Sequence, residues 1–284
     1  MINLSKYILG FTFALIVSAF AATSCTKTHF EEPIVDDQTV EVSFNTAIDS
    51  SATRAWDGLN IDVLYVELYF GNTKVGDRLE FDVEGCIVER FSVSLLKNQT
   101  YRAVFWAQNS GCGAYTIGNN LDEINVDYTE SVGLESTENR DAFYASVEFT
   151  VNATTQRDGV DVDLRRPFAM IAVGTATANL QAGATTAMTI SKVANKFNAK
   201  SGKASGEVAP LRLEGFTPSS AVTVPGKSEA LLAIACVLPI ENEQVDVTID
   251  AQVGTKSKQT TLSIAKLEAD KRYNIIGNIL PANE

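Results

Sequence analysis

A chain of 284 residues with 23 basic and 35 acidic side chains carries a formal charge of −12, and its basic residues form no cluster. That balance excludes nucleic acid as a partner and excludes electrostatic adhesion to anionic lipid. Four cysteines and one histidine, with no CxxC pair, exclude a zinc site; no metal and no cofactor are expected, and the length allows two domains of ordinary size.

The chain opens with Lys6 and an apolar run from Ile8 to Ala22, closed by Ala22, Thr23, Ser24 and Cys25. Such a run is too short to cross a bilayer but suits the apolar region of a signal peptide. The small residues before Cys25 make a lipobox, so residues 1–24 are expected to be removed and Cys25 to receive acyl chains. Ordinary cleavage near Ala22 or Ser24, leaving Cys25 as a thiol, is the alternative; on either reading the chain leaves the cytoplasm.

Residues Thr26 to Asp37, with Glu31, Glu32, Asp36, Asp37 and Pro33, bury no apolar area and read as a solvated tether carrying the lone His29. Val40, Val42 and Phe44 then alternate with Glu41, Ser43 and Asn45, the period of a half-buried strand. A small, polar stretch leads to Arg54, followed by Ala55, Trp56, Asp57 and Gly58. A strand followed by a loop with one arginine is a strand that a protease of trypsin-like specificity can detach; a plain first strand and a plain surface loop is the simpler reading.

Alternation continues through Ile61–Phe70, which a Gly71-Asn72 turn ends, and through Phe91, Val93 and Leu95. Tyr101, Ala103, Phe105 and Ala107 make one face of the next strand and Val104 and Trp106 the other, so that strand should be central. Asn109 to Asn139 is loop-rich, with one short helix expected over Asn119–Val126. Phe143–Val151 and Val160–Leu164, joined through Arg157, Asp158 and Gly159, read as a hairpin. The first half then offers about seven strands, the complement of a β-sandwich.

Arg165, Arg166 and Pro167 mark the expected boundary. Phe168–Thr175 is nearly all apolar and should be buried on both sides, with a helical turn near Leu180 after it. Further strands are expected near Met188–Ile190, Gly206–Leu213, Ala221–Val224, Ala230–Leu238, Val245–Val253, Thr260–Ala265 and Tyr273–Leu280. The fold class is therefore all-β, with a second sandwich-sized set of strands and no close internal repeat. In an exported chain Cys86 and Cys112 are candidates for a disulfide within the first half, while Cys236 reads as a small buried hydrophobe.

No catalytic set emerges. His29 has no rigid frame for a general base, and Gly111-Cys112-Gly113 does not extend into a nucleotide-binding fingerprint. Asp161 and Asp163 share one strand face that could hold a cation, although a solvated face is the plainer reading. Trp56, Tyr69, Trp106, Tyr115 and Tyr128 include candidates for an exposed platform on which sugar rings stack. This keeps a glycan-binding surface lipoprotein as the alternative function.

Three stretches carry a resemblance: Lys97-Asn-Gln-Thr-Tyr-Arg-Ala-Val-Phe-Trp-Ala-Gln-Asn109, Asn139-Arg-Asp-Ala-Phe-Tyr144 and Leu164-Arg-Arg-Pro-Phe-Ala-Met-Ile-Ala-Val-Gly-Thr175. With the lipobox and the final strand, they resemble the fimbrillin-like lipoproteins of Bacteroidetes, the group that includes type V pilus subunits. The resemblance implies two tandem transthyretin-like β-sandwiches over 55–165 and 166–284, preceded by a tether and removable strand over 25–54. It implies an outer-membrane location held by lipid on Cys25, and a non-enzymatic fimbrial structural, tip or accessory role. An arginine-specific protease would cut between Arg54 and Ala55. Val40, Val42 and Phe44 would leave with the first strand, and a strand from another fimbrial subunit would fill the groove. The chain is shorter than typical stalk subunits and stops four residues after its last strand, so a donor would have to be Tyr273–Leu280 itself.

Overall fold

The computed structural model describes residues 38–48, 60–84, 88–129 and 134–282. Sixteen strands run as β1 (Thr39–Ile48), β2 (Val63–Phe70), β3 (Thr73–Asp82), β4 (Val88–Leu96), β5 (Thr100–Gln108), β6 (Tyr115–Ile117), β7 (Ile124–Val126) and β8 (Ala142–Thr150), then β9 (Val160–Leu164), β10 (Ala169–Thr175), β11 (Thr185–Asn198), β12 (Lys203–Phe216), β13 (Ala230–Val237), β14 (Val245–Val253), β15 (Lys256–Ile264) and β16 (Arg272–Ile276). Among these residues two six-residue α-helices, α1 (Leu134–Asn139) and α2 (Ala153–Asp158), flank β8. The all-β expectation is met.

The strands form four sheets, in orders β4-β1-β9, β3-β2-β5-β8, β13-β10-β16 and β12-β11-β14-β15, with the β6–β7 hairpin added to β11. The first and third have one plan: the opening strand lies in the middle, antiparallel to the fourth main strand and parallel to the last. The second and fourth also share a plan, a hairpin followed by two antiparallel strands. The molecule thus repeats a seven-strand topology, β1-β2-β3-β4-β5-β8-β9 and then β10 to β16. No repeat was legible in the residues, because the topology constrains alternation and turn position but not side-chain identity.

Turn chemistry explains the hairpins. Gly71 between β2 and β3 (φ 59°) and Gly254 between β14 and β15 (φ 57°) each begin a two-residue connection. The positive φ, free of steric cost only in glycine, matches the twist of the paired strands.

Packing divides at β5. Ala103, Phe105 and Ala107 face a first core shared with Val42, Phe44, Phe91, Val93, Phe149, Val160 and Val162. Val104 and Trp106 face a second, larger core with Tyr128, Phe168, Phe197 and the strands β10 to β14. Both faces of β5 are buried, as its sequence requires, and the sheet β3-β2-β5-β8 lies between the two cores. Trp106 is wholly buried; its Nε1 donates to Gln108 Oε1 at 2.7 Å and its ring meets Tyr115 edge-on at 5.3 Å.

Several expectations are corrected. Asn119–Val126 is not a helix: Ile124 and Val126 alternate inward in β7, which pairs with β6 and with Lys196 and Phe197 of β11. Ala221–Val224 makes only a single bridge, Thr223 to Ala230. The last strand ends at Ile276, although Ile279 and Leu280 beyond it are buried. Phe143–Val151 and Val160–Leu164 do not form a hairpin: β8 pairs with β5 and β9 with β1 in another sheet, with only a bridge between Tyr144 and Arg165, and the connection holds α2, which begins in a capping box with Asn152 Oδ1 accepting from Thr154 N and Thr155 N. The strand β3 was not anticipated, because its charged Lys74, Asp77, Arg78 and Glu80 hide its period and a bulge interrupts its pairing.

Candidate functional site

The candidate site is β1 and the two strands that hold it. Val42 and Phe44 are fully buried and Thr46 almost so, whereas Val40 is half-buried. The alternation read from the sequence therefore places Val42 and Phe44 in the core and leaves Glu41 outside.

Phe44 is the anchor. Its ring stacks on Phe91 at 5.2 Å, meets Phe149 edge-on at 5.2 Å and lies tilted against Phe105 at 5.9 Å. Burying such a ring contributes about 1.5–3 kcal/mol in apolar area alone, and the ring pairs add to that.

Backbone pairing runs along both sides. Thr39 to Ala47 face Leu96 to Val88 of β4 in antiparallel register, and Phe44 to Ile48 face Val160 to Leu164 of β9 in parallel register. Polar pairs add a few links outside the core: the Ser43 and Ser92 hydroxyls lie 2.9 Å apart, and Asn45 Nδ2 donates to Asp161 Oδ1 at 2.9 Å. Lys97 N donates to Gln38 O at 2.8 Å where β1 begins. Gly159 sets the closeness of β9; a Cβ there would lie 2.9 Å from Ser43 O, and its φ of 82° suits glycine.

This arrangement differs from an edge strand in one physical respect. Loss of an edge strand uncovers one row of backbone groups, whereas loss of β1 uncovers facing rows on β4 and β9 and the slots of Val42 and Phe44. A replacement must satisfy both rows and carry apolar residues at every second position; one that runs in the direction of β1 reproduces its antiparallel pairing with β4 and its parallel pairing with β9.

Other predicted residues fall as follows. Cys25, Arg54, Ala55, Trp56 and Cys86 lie outside the described residues, as does His29. Cys112 is half-buried, its Sγ accepting from Ala114 N at 3.5 Å, and burial raises its thiol pKa. Asp161 and Asp163 are exposed on β9, and among the described residues no group of three or more His, Cys, Asp or Glu is placed to hold a metal. The aromatic platform does not form among the described residues: Tyr69, Trp106 and Tyr128 are core, and Tyr115 is half-buried with its hydroxyl donating to Arg140 O. Burial raises the pKa of Tyr115 and Tyr128, which stay neutral.

Two buried polar constellations escaped the sequence reading. Glu67, fully buried on β2, accepts from Tyr69 Oη at 2.6 Å, Leu121 N at 2.9 Å and Arg78 Nε at 3.0 Å. Asp141 accepts both forks of Arg166 at 2.7 Å, and the guanidinium lies 4.6 Å from the Phe143 ring. Burial opposes the charge on Arg166, yet Asp141 keeps it firmly protonated. The available signal was a lone Glu inside the apolar run Val63–Phe70 and a charged pair flanking apolar strands.

Comparison with known proteins follows from this fold. No curated protein matches the chain. A candidate polysaccharide-binding protein of Bacteroides thetaiotaomicron has a similar structure at 10% identity, over 84% of this chain and 90% of that one, with a TM-score of 0.55. A candidate adhesin of the same organism is similar at 10% identity over 87% and 95%, TM-score 0.54, and a candidate adhesin of Bacteroides ovatus at 13% over 84% and 87%, TM-score 0.52. At these identities the likeness is one of fold. A family model matches residues 33–283, which takes in every strand described, and the chain therefore belongs to the Family of unknown function (DUF6562).

Proposed function

We propose that this protein is a non-enzymatic cell-surface subunit of a fimbrial or adhesive assembly, whose first strand is a replaceable plug. The observation that carries the reading is the position of β1 in the middle of its sheet, with Phe44 seated among Phe91, Phe105 and Phe149. The two seven-strand units are read as tandem transthyretin-like sandwiches, divided near Arg165 and Arg166. Similarity of fold to candidate adhesins of Bacteroides supports a surface role.

In this reading Cys25 carries the lipid that holds the chain at the outer membrane. An arginine-specific protease cuts between Arg54 and Ala55, the segment ending in β1 departs, and a strand from another subunit enters between β4 and β9. The uncut form satisfies its own groove and stays monomeric.

The test is digestion of the purified precursor with an arginine-specific protease. The expected product begins at Ala55 and forms ladders of multimers, and Arg54→Ala abolishes both. Arg157 is exposed on α2, and a cut there instead of at Arg54 defeats the site assignment. A resistant, monomeric protein that binds polysaccharide favours the second reading, a glycan-binding surface lipoprotein, which the fold of the candidate polysaccharide-binding protein supports.

A further inference from the structure

The solvent side of the β1 groove carries a pattern that its apolar slots do not explain. Asn45 of β1 is the register partner of Arg90 on β4 and of Asp161 on β9, so the three side chains share one row on the outer face of the sheet. Arg90 and Asp161 are exposed, and Asn45 between them is half-buried. A cation thus stands on one wall of the groove and an anion on the other, with a neutral amide in the middle.

The amide is held in place. Asn45 Nδ2 donates to Asp161 Oδ1 at 2.9 Å, and a Cβ on Gly159 would lie 3.2 Å from the same nitrogen, so the turn entering β9 closes on it. Its Oδ1 remains as an acceptor, and the Arg90 guanidinium carries only donors. An amide therefore suits both walls at once. A lysine or arginine in its place gains Asp161 but faces Arg90 as a like charge, and an aspartate or glutamate gains Arg90 but faces Asp161. The row also resists slippage. Alternation repeats every two residues, so a shift by two or four keeps the apolar side chains inward; here a shift by two brings Ala47, which has no polar group, into the row, and a shift by four the other way brings Glu41 against Asp161.

We propose that Arg90 and Asp161 set the register of the strand between them by selecting an asparagine or glutamine directly after its aromatic anchor. In the strand-exchange reading, on which this assignment rests, the partner is then a strand with apolar residues at alternate positions, an aromatic ring for the Phe44 slot and an amide next in the chain. β1 itself has this pattern in Val42-Ser43-Phe44-Asn45. Departure of β1 takes the amide from between the two charges, and a matching strand returns it.

Fluorescent peptides of residues 38–48 test this when added while an arginine-specific protease trims the full precursor, with uptake read by anisotropy. The peptide with Asn45 should bind best. Its Asn45→Lys and Asn45→Asp forms should each bind about three- to fivefold more weakly at low salt, the size of one cross-strand pair, and the difference should shrink in about 1 M NaCl. Arg90→Gln in the protein should rescue the Asn45→Lys peptide and Asp161→Asn the Asn45→Asp peptide, a crossed pattern that a merely structural contact does not give. Equal binding by all the peptides, or one ranking in both protein variants, overturns the assignment and leaves strand exchange standing. Should the precursor resist trimming, or refuse even the Asn45 peptide, strand exchange fails instead and the uncut chain decides. There Asn45→Lys should lower the urea midpoint and Arg90→Gln should restore it; no restoration overturns the assignment as well.

Discussion

At the scale of residues, the most informative side chain is Phe44. Its ring touches aromatics from β4, β5 and β8, so truncation leaves a cavity that no single neighbour fills. Phe44→Ala should destabilise the uncut protein by about 3–5 kcal/mol in urea titration, whereas Glu41→Ala on the exposed side should change stability by less than about 0.5 kcal/mol. Equal effects would mean that β1 does not seat as described. The Asp141–Arg166 pair makes a second residue-scale prediction. Asp141→Asn or Arg166→Met alone strands a buried charge or its partner and should cost about 3–5 kcal/mol, while the double change to Asp141→Leu with Arg166→Met should recover most of that loss. A double variant as unstable as the singles would show that the pair does more than neutralise itself. Neither partner identifies the other in the sequence, since 25 positions separate them and the bond depends on how β8 and the β9–β10 linker meet.

Elements tell a different story from residues, because an element is legible when its period is strong and obscured when its pairing is irregular. The alternation of Val40, Val42 and Phe44 announced β1 correctly, and the apolar run before Thr175 announced β10. The period said nothing of which strands flank β1, and it is the flanking by β4 and β9 that makes a groove. The helix expected over Asn119–Val126 failed because Leu121 and Ile124 fit an i, i+3 spacing equally well; pairing with β6 and β11 decided for strand. Deletion of residues 38–48 should yield a poorly folded chain that regains cooperative unfolding when a synthetic peptide of that sequence is added. The same peptide with Phe44→Asp should fail to restore it, and rescue by both peptides would show that the groove does not read side chains.

Across the whole molecule, the sheet β3-β2-β5-β8 serves two cores at once. Trp106 packs against Phe197 at 5.9 Å, Tyr144 meets Phe197 at 4.7 Å, and Tyr128 Oη donates to Ala194 O while accepting from Leu238 N. The two topological repeats therefore share an apolar interface rather than a hinge. Calorimetry should show one unfolding transition, and Trp106→Ala should separate it into two; two transitions in the unaltered protein would contradict a shared core. The β6–β7 hairpin strengthens this coupling, since residues expected in the first domain extend the sheet of the second.

By itself the sequence determined the all-β class, the position and inward face of the first strand, and the two-sided burial of β5 and β10. Each of these rests on local alternation, which encodes how much of a strand is covered. It also raised the export signal and the Arg54 loop as expectations at residues beyond those described. Only the tertiary structure decided that β1 sits between β4 and β9, that the two halves repeat one topology, and that Asp141 meets Arg166 in a buried pair. Those features depend on contacts between segments tens to hundreds of residues apart, and the period of a single strand carries no record of its neighbours.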